Sequence, residues 1–377
     1  MTSTTTPQHV VIVGAGIVGL GHAVAALDAG HRVTVIEQDA QAVTASVRNF
    51  GHVCASLQAG EIGDLARASL PIWESLITRA GVEGRRSGTI AVARSAAEEA
   101  VITELATELA TERAPEGAEL LTGAETAMRL RLPDHAAPRA GLLMPRDLTA
   151  NPRTAVARIA AWVAAHERGE VRFCTAVYGA TTGAVETSRG RIACDRVVIA
   201  TGHLVGRLFP EIAEAGEVRE CALQMTRVRA PRDMRIGPAV VTGTSMLRYG
   251  AFAGPAADAL RAELGTERPE LFEIDANVMF TQQADGTLLV GDSHITHDAA
   301  PPFLDERWSD ILLAEAAALL GTERLEVLER WQGVYAVSKK QDFLIAEPEL
   351  GVHVVSITTG IGMTAGLGLG ARTVAAL

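Results

Sequence analysis

Gly14-Ala15-Gly16-Ile17-Val18-Gly19 spaces three glycines as GxGxxG. That spacing allows a tight turn in which backbone N–H groups approach a phosphate, with the positive end of a following helix facing the charge. Glu37, about twenty residues on, can accept hydrogen bonds from ribose hydroxyls. Turn and carboxylate together predict a bound dinucleotide. A second glycine-rich segment, Gly360-Ile361-Gly362-Met363-Thr364, offers backbone donors and a helix N-terminus to an anionic ring edge. No His/Cys/carboxylate cluster has metal-ligand spacing, so no metal is expected, and no nucleophile elbow occurs.

The elements that position these residues follow from local pattern. The uninterrupted apolar run at 10–13 reads as a strand buried on both faces. A helix over 17–29, stopped by Gly30, and a second buried strand over 32–37 complete a βαβ unit with a parallel sheet. Helices are expected over 64–80 and 96–113, with a strand at 89–93. Asn151 caps and Pro152 opens another helix, whose Val156, Ile159, Ala160 and Val163 share one face. Strands are expected at 171–174, 197–200 and 352–357. Between 216 and 296 the pattern turns antiparallel, with a hairpin of 277–283 and 287–292 around Asp285-Gly286. A helix over 305–320 follows.

The chain has 377 residues, 48% hydrophobic and 21% charged, an ordinary globular balance of two to three domains. Acidic residues outnumber basic ones, 45 to 34, for a net charge of −11, which argues against a nucleic-acid partner. The charge-free stretch 10–27 is long enough for a membrane span, yet its four glycines and its division into strand and helix argue against one. The polar opening has no basic n-region, so no signal peptide is expected. Cys54, Cys174, Cys194 and Cys221 form no CxxC pair, which fits a reducing cytoplasm.

A nicotinamide enzyme would complete its second mononucleotide half soon after the first. Here the chain leaves through Ser46, Arg48, Asn49 and Gly51, returns at Val197-Val198-Ile199-Ala200-Thr201-Gly202, and returns again at Gly360. That organisation favours FAD over NAD. VVIVGAGIVGLGHA at Val10, VIE at Val35, ASVRNFG at Ala45, TAV at Thr175, VVIATG at Val197 and TTGIGMT at Thr358 together resemble the D-amino-acid oxidase superfamily, specifically its glycine oxidase and sarcosine oxidase branch. SVRNFGHV at Ser46, LQMTR at Leu223, GDSH at Gly291 and WQGVYA at Trp331 are most similar to a subfamily of FAD-dependent oxidoreductases associated with aminophosphonate metabolism.

The resemblance implies an α/β fold: a Rossmann-like FAD domain (1–85, 141–215 and 325–377) interleaved with an α+β substrate domain on a mainly antiparallel sheet (86–140 and 216–324). It also implies roles. Gly14, Ala15, Gly16, Ile17, Val18 and Gly19 would hold the pyrophosphate, and Glu37 with Gln38 the ribose. Ser46, Arg48, Asn49 and Gly51 would meet pyrophosphate and flavin. Val177 would meet adenine, and Thr201 and Gly202 would close the second turn. Gly333, Gly360, Ile361, Gly362, Met363 and Thr364 would line the flavin. His52 is expected to make a non-covalent contact beside it, and Cys54 to be a packing residue.

One departure stands out. Glycine oxidase-like enzymes carry a carboxylate-clamping arginine in the stretch matching Gly333-Val334-Tyr335, and here Tyr335 takes its place. The substitute cation is expected at Arg248, on a strand over 245–249, with Tyr335 and His294 orienting the substrate. Arg227, Lys339, Lys340 and His297 are further candidates. The implied activity is FAD-dependent oxidation of a small anionic primary or secondary amine, an aminophosphonate or N-substituted amino acid, with hydride transfer to flavin N5 and hydrolysis of the imine. An oxidase using O2 is expected. The alternatives are a 2-hydroxy acid dehydrogenase and a non-catalytic nucleotide-binding regulator. Oligomeric state is open.

Overall fold

Val10, Val11 and Ile12 are fully buried in strand β1 (His9–Val13), as an uninterrupted β-branched run requires when both sheet faces are covered. A computed structural model describes residues 6–111 and 117–377. β1 pairs in parallel with β2 (Arg32–Ile36) on one side and with strand Arg196–Ile199 on the other. Gly169–Arg172 extends the sheet beyond β2. Val352–Ile357 joins Arg196–Ile199 in parallel, and Phe343–Glu349 closes that edge antiparallel, giving six strands.

Helix α1 (Ile17–Asp28) lies on this sheet against the C-terminal helix Gly362–Val374, which also packs on helix Gly60–Arg79. The approach is backbone to backbone: a Cβ at Gly370 would sit 2.4 Å from the Gly21 carbonyl carbon. The apolar interior beneath these helices includes Leu20, Leu27, Val33, Trp73 and Leu367.

A second sheet of nine strands is mainly antiparallel. Near one edge the long strand Arg219–Arg229 pairs with Thr287–Gly291, Ile295–His297 and the equally long Val327–Val337. Beyond Met279–Gln282 and Ala239–Val241 lies Thr89–Ala93, joined to Ala239–Val241 in parallel, the one parallel pairing described in that sheet. The expected hairpin forms, with the Gly286 N–H bonded to the Gln283 carbonyl at 2.9 Å. Asn151 accepts the Arg153 N–H and caps its helix as expected, and Asp305 accepts the Arg307 N–H in the same way.

Some expectations shift. The strand foreseen at 171–174 runs Gly169–Arg172. The helix foreseen over 96–113 is described as Ala96–Thr111, and positions 112 and 113 lie outside the described residues. No strand forms over 245–249. Helix Gly243–Met246 stands there and Arg248 follows it in a turn. The cause is local bonding: Ser245 Oγ donates to Asn277 Oδ1, and Thr244 Oγ1 accepts the Val278 N–H, which favours a coiled backbone over a ladder. No helix among the described residues is long and apolar enough to cross a membrane.

Burial also sets a pH response. His22 is wholly buried in α1, its Nδ1–H donating to the Val18 carbonyl, and burial lowers its pKa to about 4. Burial lowers that of His52 to about 3. Above the unfolded value of 6.5, both rings are neutral in either state. Below it, the unfolded chain takes up protons first, so stability falls by about 1.4 kcal/mol per pH unit for each histidine. The urea midpoint is expected to decline steadily from pH 6.5 to pH 4; a flat profile would contradict this.

Candidate active site

The carboxyl ends of β1, Arg196–Ile199 and Val352–Ile357 open into a cavity of about 420 Å³ that runs from Glu37 and Tyr178 at one end to Tyr249 and Tyr335 at the other. Its near wall is the Gly14–Gly19 turn. Gly14 has φ of +107°, open to glycine without strain, and a Cβ there would lie 2.5 Å from the Ala200 carbonyl oxygen. A Cβ at Gly19 would lie 2.0 Å from the Gly14 oxygen. Gly14, Gly16, Ile17 and Val18 line the cavity, whereas Ala15 and Gly19 hold the turn from behind.

Glu37 fixes that turn. Its carboxylate accepts the Ala15 N–H at 3.0 Å and the Asp39 N–H at 3.1 Å while still facing the cavity beside Gln38. Ser46 Oγ accepts the Ile17 N–H at 2.9 Å, anchoring the 45–51 loop to the start of α1. Asn49 shapes the loop: its amide donates to the Ala45 and Ser46 carbonyls and its oxygen accepts the Gly51 N–H. Arg48 donates to the Gln332 carbonyl, and both Arg48 and Asn49 line the cavity. Gly51 does not; a Cβ there would lie 1.8 Å from the Ala150 oxygen, so its task is close packing.

Val177, Thr201, Gly202 and Gly333 line the cavity, as do all five residues of the Gly360–Thr364 turn. Thr364 and Ala365 make the first bonds of the C-terminal helix, to the Ile361 carbonyl, which leaves the Gly362 and Met363 N–H groups ahead of them. Thr364 Oγ1 accepts the Cys54 N–H at 3.2 Å, and Trp73 donates to the Met363 carbonyl. The Cys54 thiol is buried, its pKa pushed up to about 12. His52 also belongs to the cavity wall.

At the far end Tyr335 packs on Gly360, where a Cβ would meet its ring at 2.9 Å. Arg248 stands one side chain behind, off the cavity wall, donating Nη2 to the Tyr335 hydroxyl and Nη1 to Asp275, both at 3.0 Å. Burial works against its charge, but Tyr335, Asp275 and Asp292 outweigh it and raise the guanidinium above its ordinary pKa. His294 is likewise off the wall, edge-on to Tyr335 at 6.1 Å, with Nδ1 at the Asp275 carbonyl and Nε2 at Asp292. Burial raises the Tyr335 phenol well above its usual range. Arg227 is engaged elsewhere, by Asp285 and Glu329, and Lys340 by the Ala215 carbonyl.

Sequence reasoning missed Tyr249, whose half-buried phenol lines the cavity and donates to Met279 Sδ. Its adjacency to Arg248 was the available signal. Phe50 and Leu223, also on the wall, lie within the SVRNFGHV and LQMTR stretches, whereas the apolar wall residue Met279 carried no signal.

The profile of the DAO family, described as FAD dependent oxidoreductase, matches residues 9–377. The chain belongs to the DAO family. A comparison with curated proteins gives no match. Among solved structures, this DAO-family fold is similar to glycine oxidase from Bacillus cereus ATCC 14579 (17% identity, TM-score 0.77, covering 97% of this chain and 94% of that one). Iminodiacetate oxidase from Chelativorans sp. BNC1 (16%, TM-score 0.74, 96% and 93%) is also similar. So is L-α-glycerophosphate oxidase from Mycoplasma pneumoniae (16%, TM-score 0.74, 99% and 96%), solved with FAD bound.

The residues present suit the family's FAD. Gly14 and Gly19 have no room for a Cβ, each Glu37 oxygen has one donor among the described residues and a lone pair to spare, and the buried Thr201 hydroxyl has no partner among them.

Proposed function

We propose that this DAO-family enzyme oxidises a small amine bearing an anionic group, with an aminophosphonate or an N-substituted amino acid as the substrate class. The observation that carries this reading is a fixed guanidinium, Arg248, joined to a tyrosine that packs on the flavin-edge turn. Glycine oxidase and iminodiacetate oxidase, which share the fold, are named for small anionic amines. The SVRNFGHV, LQMTR, GDSH and WQGVYA stretches support the aminophosphonate class through the resemblance they carry.

FAD, held non-covalently by the Gly14–Gly19 turn, Glu37, the 46–51 loop and the Gly360–Thr364 turn, supplies the two-electron acceptor. Tyr335 and Arg248 orient the anionic group, the hydroxyl directly and the guanidinium through or beside it. The N–H groups of Gly362 and Met363, at a helix N-terminus, favour negative charge at the ring edge. Tyr335 stays protonated, and burial leaves His52, with a pKa of about 3, a weak base. An amine with an ordinary pKa near 10 therefore loses its proton to solvent before reaction. We assign residues 1–85, 141–215 and 325–377 to cofactor binding, and 86–140 and 216–324 to substrate binding.

The test is a product assay over aminophosphonates, N-methyl amino acids and 2-hydroxy acids. Carbonyl and amine products from the first two groups support the reading; turnover of the hydroxy acids alone overturns it.

A further inference from the structure

Asp147 is fully buried and has no paired cation among the described residues. Its Oδ1 accepts the Ser56 N–H at 2.9 Å and its Oδ2 the Thr89 hydroxyl at 2.6 Å. Thr89 Oγ1 also lies 2.7 Å from Nε2 of His52. The three side chains come from distant parts of the chain: the loop before strand Leu148–Ala150, the strand Thr89–Ala93, and the short strand His52–Val53.

Hydrogen-bond chemistry leaves one arrangement. A carboxylate only accepts, so the single Thr89 proton is directed to Asp147. Thr89 Oγ1 then has only lone pairs for His52, and Nε2 must carry the ring proton and donate it. The ring is neutral, because burial lowers its pKa to about 3. Nδ1 is therefore a bare acceptor. It is buried and no donor among the described residues reaches it. Buried polar atoms are hydrogen-bonded as a rule, so such an orphan on a residue of the cavity wall points to a ligand donor.

We propose that Asp147 and Thr89 are positioning residues that lock His52 in its Nε2–H tautomer, so that bare Nδ1 accepts a hydrogen bond from a hydroxyl or N–H of bound FAD. The inference rests on the flavin reading of the cavity and deepens it. It gives this buried carboxylate a task that packing alone does not require.

The experiment uses the full chain with 15N-labelled histidine at pH 8, as holoenzyme and after removal of FAD. Burial pushes the Asp147 pKa up to about 6, so the carboxylate is ionised there. The His52 resonances are assigned by their loss in His52→Asn. Nδ1 is expected to resonate as an unprotonated, pyridine-type nitrogen and Nε2 as a protonated one, with Nδ1 moving upfield when FAD binds. Thr89→Val, close in volume, should mix the tautomers and raise the FAD dissociation constant about tenfold, the effect of one hydrogen bond; Thr89→Ser should retain the native pattern. A protonated Nδ1 in the native chain, or an Nδ1 signal that FAD leaves in place, overturns the proposal. A chain that takes up no FAD would refute the flavin reading instead, and the tautomer would still be legible.

Discussion

Arg248→Ala is expected to raise the Michaelis constant for an anionic amine at least 100-fold while leaving FAD content unchanged. The guanidinium bonds Tyr335 through one nitrogen and Asp275 through another, and it stands outside the cavity wall near the Gly360 turn. On the proposed role its removal strips the anion of its cation, and it leaves the Tyr335 hydroxyl and the Asp275 carboxylate without this donor. Losing a charge-assisted pair of this kind costs about 3 kcal/mol, and each 1.4 kcal/mol is a factor of ten. Arg248→Lys should recover little, since one ammonium cannot span both partners as a planar fork does. Steady-state kinetics with the ratio of flavin to protein absorbance checks both halves. An unchanged Michaelis constant would remove Arg248 from substrate binding.

Gly19→Ala is expected to give protein nearly free of FAD and less stable by several kcal/mol, whereas Gly16→Ala should retain most of its flavin. The two glycines share a motif but not an environment. A Cβ at Gly19 would fall 2.0 Å from a backbone oxygen, that of Gly14, so the turn or α1 must move. A Cβ at Gly16 would fall 3.1 Å from Ser46 Oγ, the end of a side chain that can rotate away. The flavin-to-protein ratio after purification and the thermal midpoint measure this ranking. Equal flavin content in both variants would show that the turn is not the cradle described here.

What the sequence made legible was local. The apolar runs of β1 and β2, the glycine turn between them and the Gly360 turn each declare themselves within about twelve residues, because burial on both faces and tight backbone approach leave few residue types permissible. Spacing from that turn added Glu37, and the family resemblance extended this to the roles of Ser46 and Arg48. What stayed hidden was contact between distant segments. Ser245 to Tyr249 reads as a strand, but Thr244 and Ser245 bond to Asn277 and Val278, more than thirty positions away, and fold the segment into a helical turn. That same turn sets Arg248 behind Tyr335, which no spacing shows, and brings its neighbour Tyr249 to the wall. Gly51 and Gly19 were visible as glycines, yet their work is packing behind the cavity, at Ala150 and Gly14. The Asp147–Thr89–His52 chain likewise joins positions 58 and 37 residues apart.

The most direct measurement is an anaerobic absorption spectrum of the purified protein titrated with 2-aminoethylphosphonate, its N-methyl derivative, sarcosine and glycine. A yellow preparation whose flavin bands bleach on addition of at least one of these amines is the predicted result. A colourless preparation that takes up no FAD, or a flavin spectrum unmoved by every anionic amine while a 2-hydroxy acid bleaches it, would contradict the account.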